Sequence, residues 1–206
     1  MIKMNDDNQT VFIVDDNDDV RDSLVELLES MGLQTLTYAN AQGFLDEFNT
    51  GKPGCVLADV RMPGMSGIEL QQKLNGLGAS APLIIMTGHG DVAMAVQAMK
   101  NGAFEFLQKP FRDQELLDCI TKALEQDALK RKNLSDKHAI QQRVDSLTAR
   151  EREVVDLVLD GKANKVIARE LGISDRTVEI HRSHAMEKLG AKSVAELVKF
   201  MLSAQG

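Results

Sequence analysis

The sequence predicts an α/β domain, a doubly wound five-stranded parallel sheet, followed by an all-α domain of four helices. Across residues 1–125, short apolar runs alternate with segments of helical period, as in a parallel sheet covered on both faces. After residue 146 the helical periods continue and no strand pattern remains. The 206 residues are enough for two small cores.

The expected strands are Val11–Val14, Thr35–Tyr38, Cys55–Ala58, Leu83–Met86 and Phe104–Leu107. Most are continuously apolar, as buried parallel strands are, whereas Thr35–Tyr38 alternates. Between them fall helices at Val20–Met31, Ala41–Phe48, Ile68–Leu74 and Val92–Asn101, then a long one from about Asp113. Gly32, Gly76 and Gly102 are the expected stops of three of these. Residues 126–145 are polar and helix-prone and read as a helical linker, with Asn133–Leu134–Ser135 the natural place for a break. In residues 146–206, Thr148 with Glu151 forms a capping box ahead of Val154, Val155, Leu157 and Val158. A short helix Asn164–Leu171 closes on Gly172, and Ser174 caps a third helix, Asp175–Leu189, that closes on Gly190.

Composition is that of a globular protein, with 43% hydrophobic and 27% charged residues. No apolar run approaches the ~20 residues of a membrane span, and the polar, acidic N-terminus does not read as a signal peptide. Cys55 and Cys119 lie in apolar segments and read as buried, reduced thiols. These features together indicate the cytoplasm and no membrane partner. Residues 1–145 hold 14 basic and 22 acidic residues, a net of −8, while residues 146–206 hold 10 and 9, a net of +1. The two halves therefore suit different partners.

Asp15 and Asp16 follow the first strand, and Asp59 follows the third. In a doubly wound sheet the carboxyl ends of the strands form the ligand crevice, so these three carboxylates converge. Two carboxylates ~5 Å apart repel by ~3 kcal/mol at an effective dielectric of ~20. Oxygen-only ligands with room for water suit Mg²⁺ or Mn²⁺. Thr87 ends the fourth strand and Lys109 the fifth, where a hydroxyl and an ammonium are suited to phosphoryl oxygens. Lys109 precedes Pro110, and a cis bond there would turn Lys109 into the crevice. The turn Arg61-Met62-Pro63-Gly64 places the Arg61 carbonyl as a further metal ligand. Singly, each residue has a structural explanation, since an Asp after a strand is often a helix cap.

The segments VFIVDDNDDVRDSL, LADVRMPGMSGIEL and LIIMTGHGDVAMAVQAMKNGAFEFLQKPF resemble the receiver domain of response regulators, with its flavodoxin-like fold, over residues 10–125. The resemblance implies that Asp59 accepts phosphate from a sensor histidine kinase and that Asp15 and Asp16 organise Mg²⁺. It implies that Thr87 and Lys109 contact the phosphoryl group and that Phe106 is the switch aromatic. Many relatives carry tyrosine there, so Phe106 keeps the packing part of the switch and lacks the hydroxyl.

Two helices joined across Leu171-Gly172-Ile173-Ser174 form a helix-turn-helix, which is also a generic way to fold a small bundle. On the Asp175–Leu189 helix, Val178, Ala185 and Leu189 fall on one side, and Arg176, Ile180, Ser183 and Glu187 opposite. An arginine suits guanine and an isoleucine a thymine methyl in a major groove. The stretch LTAREREVVDLVLDGKANKVIARELGISDRTVEIHRSHAMEKLGAKSVAEL resembles the LuxR/NarL-type DNA-binding domain, and the whole chain resembles the FixJ-type branch. By that resemblance Arg176, Glu179, Ile180 and Ser183 face bases, while Lys165, Thr177, Arg182 and His184 sit nearer phosphates and Ser174 joins the contacting set. It further implies double-stranded DNA, a homodimer formed on phosphorylation through the receiver, and RNA polymerase as partners.

The expectation is a regulated DNA-binding protein and not an enzyme. An enzyme using an aspartyl-phosphate intermediate is the alternative, but its second acid/base Asp, commonly two residues after the nucleophile, is here Arg61. A phosphorylation-gated module whose helical domain binds protein is a third class.

Overall fold

The computed structural model describes residues 9–88 and 92–205, and the acidic N-terminal stretch read above lies outside them. The chain divides into two compact units, Met1–Arg131 and Lys132–Gly206, and the division falls inside the expected linker.

In the first unit the strands are β1 (Thr10–Val14), β2 (Gln34–Tyr38), β3 (Gly54–Asp59), β4 (Leu83–Thr87) and β5 (Glu105–Gln108). The helices are α1 (Asp18–Ser30), α2 (Ala41–Glu47), α3 (Gly67–Gly76), α4 (Val92–Lys100) and the part up to Arg131 of α5 (Asp113–Asp145), whose remaining residues fall in the second unit. The sheet is parallel throughout, with the order β2-β1-β3-β4-β5. Strands β1, β3 and β4 are buried along their whole length, whereas the edge strand β2 is only partly covered, with Thr35 and Tyr38 half-buried and Leu36 exposed. Because successive strand residues face opposite sides, Val11, Ile13, Cys55, Leu57, Ile84 and Met86 pack against α1 and α5. Phe12, Val14, Val56, Ala58, Leu83 and Ile85 pack against α2, α3 and α4. Both cysteines are buried free thiols. Burial pushes the Cys119 thiol up to about 12 and Cys55 higher still, so both stay protonated.

Three local expectations change. β5 begins at Glu105 and not at Phe104, because Phe104 N–H donates to the carbonyl of Leu83 ahead of the ladder. Helix α3 runs through Gly76, and the left-handed stop is Gly78 with φ 67°. Helix α5 has no break at Asn133–Leu134–Ser135, since all three are exposed and their polar side chains need not compete for the helix backbone.

The second unit contains α6 (Ala149–Leu159), α7 (Asn164–Leu171), α8 (Asp175–Leu189) and α9 (Val194–Gln205), with no strand among the described residues. Val154, Val155, Val158, Ile167, Val178, Ala185, Leu189 and Leu197 form its core. The Thr148–Glu151 capping box starts α6, Ser174 caps α8, and Gly172 and Gly190 close α7 and α8 in the left-handed conformation.

Candidate functional site

The parallel register brings the strand ends to one rim. Val14 pairs with Ala58, Asp59 with Met86, and Thr87 with Gln108, so Asp15, Asp59, Thr87 and Lys109 emerge on the same edge. Asp15 is 1% exposed, Asp59 8% and Thr87 1%. The Lys109 ammonium donates to Asp15 Oδ2 at 2.6 Å and to Asp59 Oδ1 at 2.7 Å. Burial pulls this ammonium down, but its bonds to the two carboxylates outweigh that and hold it above the ordinary lysine value. The Lys109–Pro110 bond is cis, and Lys109 N–H donates to the Thr87 carbonyl at 2.7 Å.

Backbone donors fix the remaining carboxylate oxygens. Arg61 N–H donates to Asp59 Oδ2 at 2.6 Å, and Asn17 N–H to Asp15 Oδ1 at 3.0 Å. Asp16 and Arg61 are exposed beside them. Among the described residues no three acidic, histidine or cysteine side chains close into a ready metal cage. The expected trio is therefore brought together in part: Lys109 joins Asp15 to Asp59, and Asp16 stands outside those bonds. Three carboxylates and one ammonium leave two negative charges on hard oxygen donors, which fits a divalent cation such as Mg²⁺. Phe106 is half-buried on β5 against the core face shared with α2, α3 and α4.

Two residues of this site were not singled out from sequence. Arg21 on α1 donates to the Asp15 carbonyl at 2.6 Å and also pairs with Asp18, which ties the loop carrying the acidic pair to the first helix. Gly67 starts α3 against the strand, where a Cβ would lie 2.4 Å from the Asp59 carbonyl oxygen, so only glycine lets the helix begin this close. The Asp-x-x-Arg spacing signalled the first, and nothing local signalled the second.

In the second unit, Arg176, Glu179, Ile180, Ser183 and His184 are exposed along α8, and Ile180 is 46% exposed. Ser174 and Lys165 are exposed, while Thr177 and Arg182 are half-buried. Arg182 Nη1 donates to Asn164 Oδ1 at 3.1 Å and so ties α8 to the start of α7. His181 is half-buried beside the core residues of the same helix.

Glu151 is 4% exposed and anchors the other end of α8. Lys188 Nζ donates to Glu151 Oε2 at 2.6 Å and to the Ser146 carbonyl at 3.2 Å. The Lys188 bond, then the Thr148 N–H, hold the Glu151 carboxyl below the usual range against the opposing effect of burial. A carboxyl lowered by folding stabilises fully above its unfolded value, about pH 4.3, and loses that contribution as pH falls through the folded value. Glu151→Gln is accordingly expected to cost about 1.5–3 kcal/mol at neutral pH. Thermal melts should show wild type and variant converging in acid, and a gap unchanged at about pH 3 would refute the charge role.

This architecture, acidic strand ends around a lysine in one unit and a capped helix-turn-helix in the other, is that of a phosphate-responsive DNA-binding regulator. Residues 11–121 match the response regulator receiver domain, and residues 145–201 match the bacterial regulatory proteins of the luxR family. The chain belongs to the response regulators of the FixJ type, which are transcriptional regulators of two-component systems. It is 45% identical over 194 residues to the transcriptional regulatory protein FixJ of Azorhizobium caulinodans, covering 94% of this chain and 92% of that protein. It is 45% identical over 196 residues to the transcriptional regulatory protein TdiR of Thauera aromatica, covering 94% and 85%. The solved structure of the response regulator StyR superposes with a TM-score of 0.91 at 44% identity, covering 95% of this chain and 98% of that one. Among the described residues no helix is long and apolar enough to cross a membrane.

Proposed function

We propose that Asp59 is the phosphoryl acceptor of a receiver domain spanning residues 1–125, joined by the helical linker 126–145 to a DNA-binding domain at 146–206. The observation that carries this reading is the Lys109 ammonium held between the two buried carboxylates Asp15 and Asp59. An Asp59 oxygen attacks the phosphorus of a phosphohistidine on a sensor kinase, and the phosphorus–nitrogen bond breaks as the acyl phosphate forms. Lys109 and Thr87 are placed to receive the new phosphoryl oxygens. Asp15, Asp16, Asp59 and the Arg61 carbonyl would hold Mg²⁺ or Mn²⁺, which offsets charge on the transferring group. Asp16→Ala should weaken metal binding and phosphorylation together.

The chain acts as a switch in the cytoplasm and not as a substrate-cleaving enzyme. A phosphohydrolase of this chemistry needs a second acid two residues after the nucleophile, and Arg61 stands there. Phosphoryl contact draws Thr87 toward Asp59, and Phe106 turns into the vacated space. The face formed by α4, β5 and the start of α5, where Val96 and Met99 are exposed, then pairs two receivers. The DNA-bound dimer contacts RNA polymerase.

On DNA, α8 enters the major groove. Arg176, Glu179, Ile180 and Ser183 meet bases, while Lys165, Ser174, Thr177, Arg182 and His184 lie toward phosphates. Arg176→Ala should cost about 1–3 kcal/mol on the preferred site and relax one base position. Lys165→Ala should weaken all sequences alike and lower the salt slope by about one. Arg182→Ala should do the same and also loosen α7 against α8. Salt-titrated mobility shifts on selected and scrambled DNA check these roles, and the opposite pattern for Arg176 and Lys165 would refute them.

A further inference from the structure

A buried polar cluster in the first unit lies at the end of the sheet away from Asp59. Asp127 on α5 is completely buried, and its Oδ2 accepts from Gly54 N–H at 2.9 Å and from Arg131 Nε at 2.7 Å. Arg131 also donates from Nη1 to the Gly51 carbonyl at 2.8 Å and from Nη2 to the Lys52 carbonyl at 2.6 Å. One turn earlier, Gln9 Nε2 donates to the Leu124 carbonyl at 2.9 Å. Gly54, at φ 147°, has no space for a side chain, since a Cβ would lie 1.9 Å from the Thr10 carbonyl oxygen. That closeness brings the β3 amide within reach of Asp127.

The grip on α5 ends at Arg131. Residues 132–139 are all exposed, and Lys132 begins the other compact unit. Asp127 Oδ1 is buried without a hydrogen-bond partner. A buried ion pair with an unmet lone pair is a poor source of stability compared with apolar packing. Its geometry is specific, however, because one planar guanidinium joins the carboxylate to three successive loop carbonyls, Thr50 at 3.4 Å, Gly51 and Lys52.

We propose that Asp127 and Arg131 are positioning residues, a latch that fixes the point at which the receiver releases its last helix. The consequence concerns DNA and rests on the dimer reading above. Two receivers held together present their DNA-binding domains on tethers, and the gain from the second contact depends on tether length and stiffness. With the latch closed, the tether starts at Lys132. With it open, the final turns of the receiver's helix join the tether, so the effective concentration falls and half-site spacing is read less sharply.

The test uses the full chain with beryllofluoride and Mg²⁺. Half-sites selected with wild type are re-spaced in single base pairs across one DNA turn, about 10 bp. Arg131→Lys keeps a charge for Asp127 and loses the fork. The double variant Asp127→Asn with Arg131→Met removes both charges, which covers failure of the first to fold. Both variants should dimerise by light scattering and bind a single half-site as wild type does. On paired half-sites they should lose about tenfold of the avidity gain and show a flattened spacing profile. A merely stabilising salt bridge would not move that profile. Variants that keep both the wild-type affinity and the sharp profile overturn the latch. So does a loss as large on a single half-site as on the pair. A wild type with no spacing preference overturns the dimer reading and the latch with it.

Discussion

Asp59→Asn is expected to abolish phosphorylation by acetyl phosphate with Mg²⁺, and with it any gain in DNA affinity. The amide oxygen can still accept the Lys109 hydrogen bond now held at 2.7 Å, whereas the bond from Arg61 N–H to the other oxygen is lost because an amide nitrogen does not accept. What disappears is the nucleophile, since an amide oxygen attacks phosphorus far more weakly than a carboxylate. One negative charge also leaves the crevice, so divalent cation affinity should fall in the same variant. Intact-mass and peptide mass spectrometry read the modification, and genomic footprinting of wild type beside the variant reads its consequence. Label retained at the wild-type level in Asp59→Asn would place the acceptor elsewhere and remove the basis for the switch.

Phosphorylation is expected to turn a weak DNA binder into a strong one by dimerising the receiver. Residues 146–206 carry a net charge of only +1, so a single copy gains little from general attraction to phosphates. Residues 1–145 carry −8 and are repelled by DNA. Joining two copies makes the second contact intramolecular and can raise affinity ~10²–10⁴-fold without a new base contact. Light scattering with and without beryllofluoride should show a doubled mass, and DNA binding by the same samples should rise in step. The preferred operator should hold two half-sites about one DNA turn apart, ~10 bp centre to centre. A modified protein that stays monomeric yet gains full affinity would rule this out in favour of release of an inhibitory contact between domains.

The sequence by itself determined the sheet, its order of elements and the candidate rim residues. Apolar runs buried on both faces require parallel strands, and parallel strands put the residues after them, Asp15, Asp59 and Lys109, at one edge. It also determined where α6 and α8 start, because the Thr148–Glu151 box and the Ser174 cap are local signals that act across three residues. Helix α5 was half legible: its period was plain, but whether Asn133 and Ser135 interrupt it depends on which way those side chains face. The tertiary structure alone decided the polar partnerships between residues far apart in the chain. Lys109 reaches Asp15 across 94 residues, Asp127 reaches Gly54 across 73, and Lys188 reaches Glu151 across 37. Hydrogen bonds and ion pairs act over ~3 Å and carry no periodicity along the chain, so only the packed fold can choose their partners.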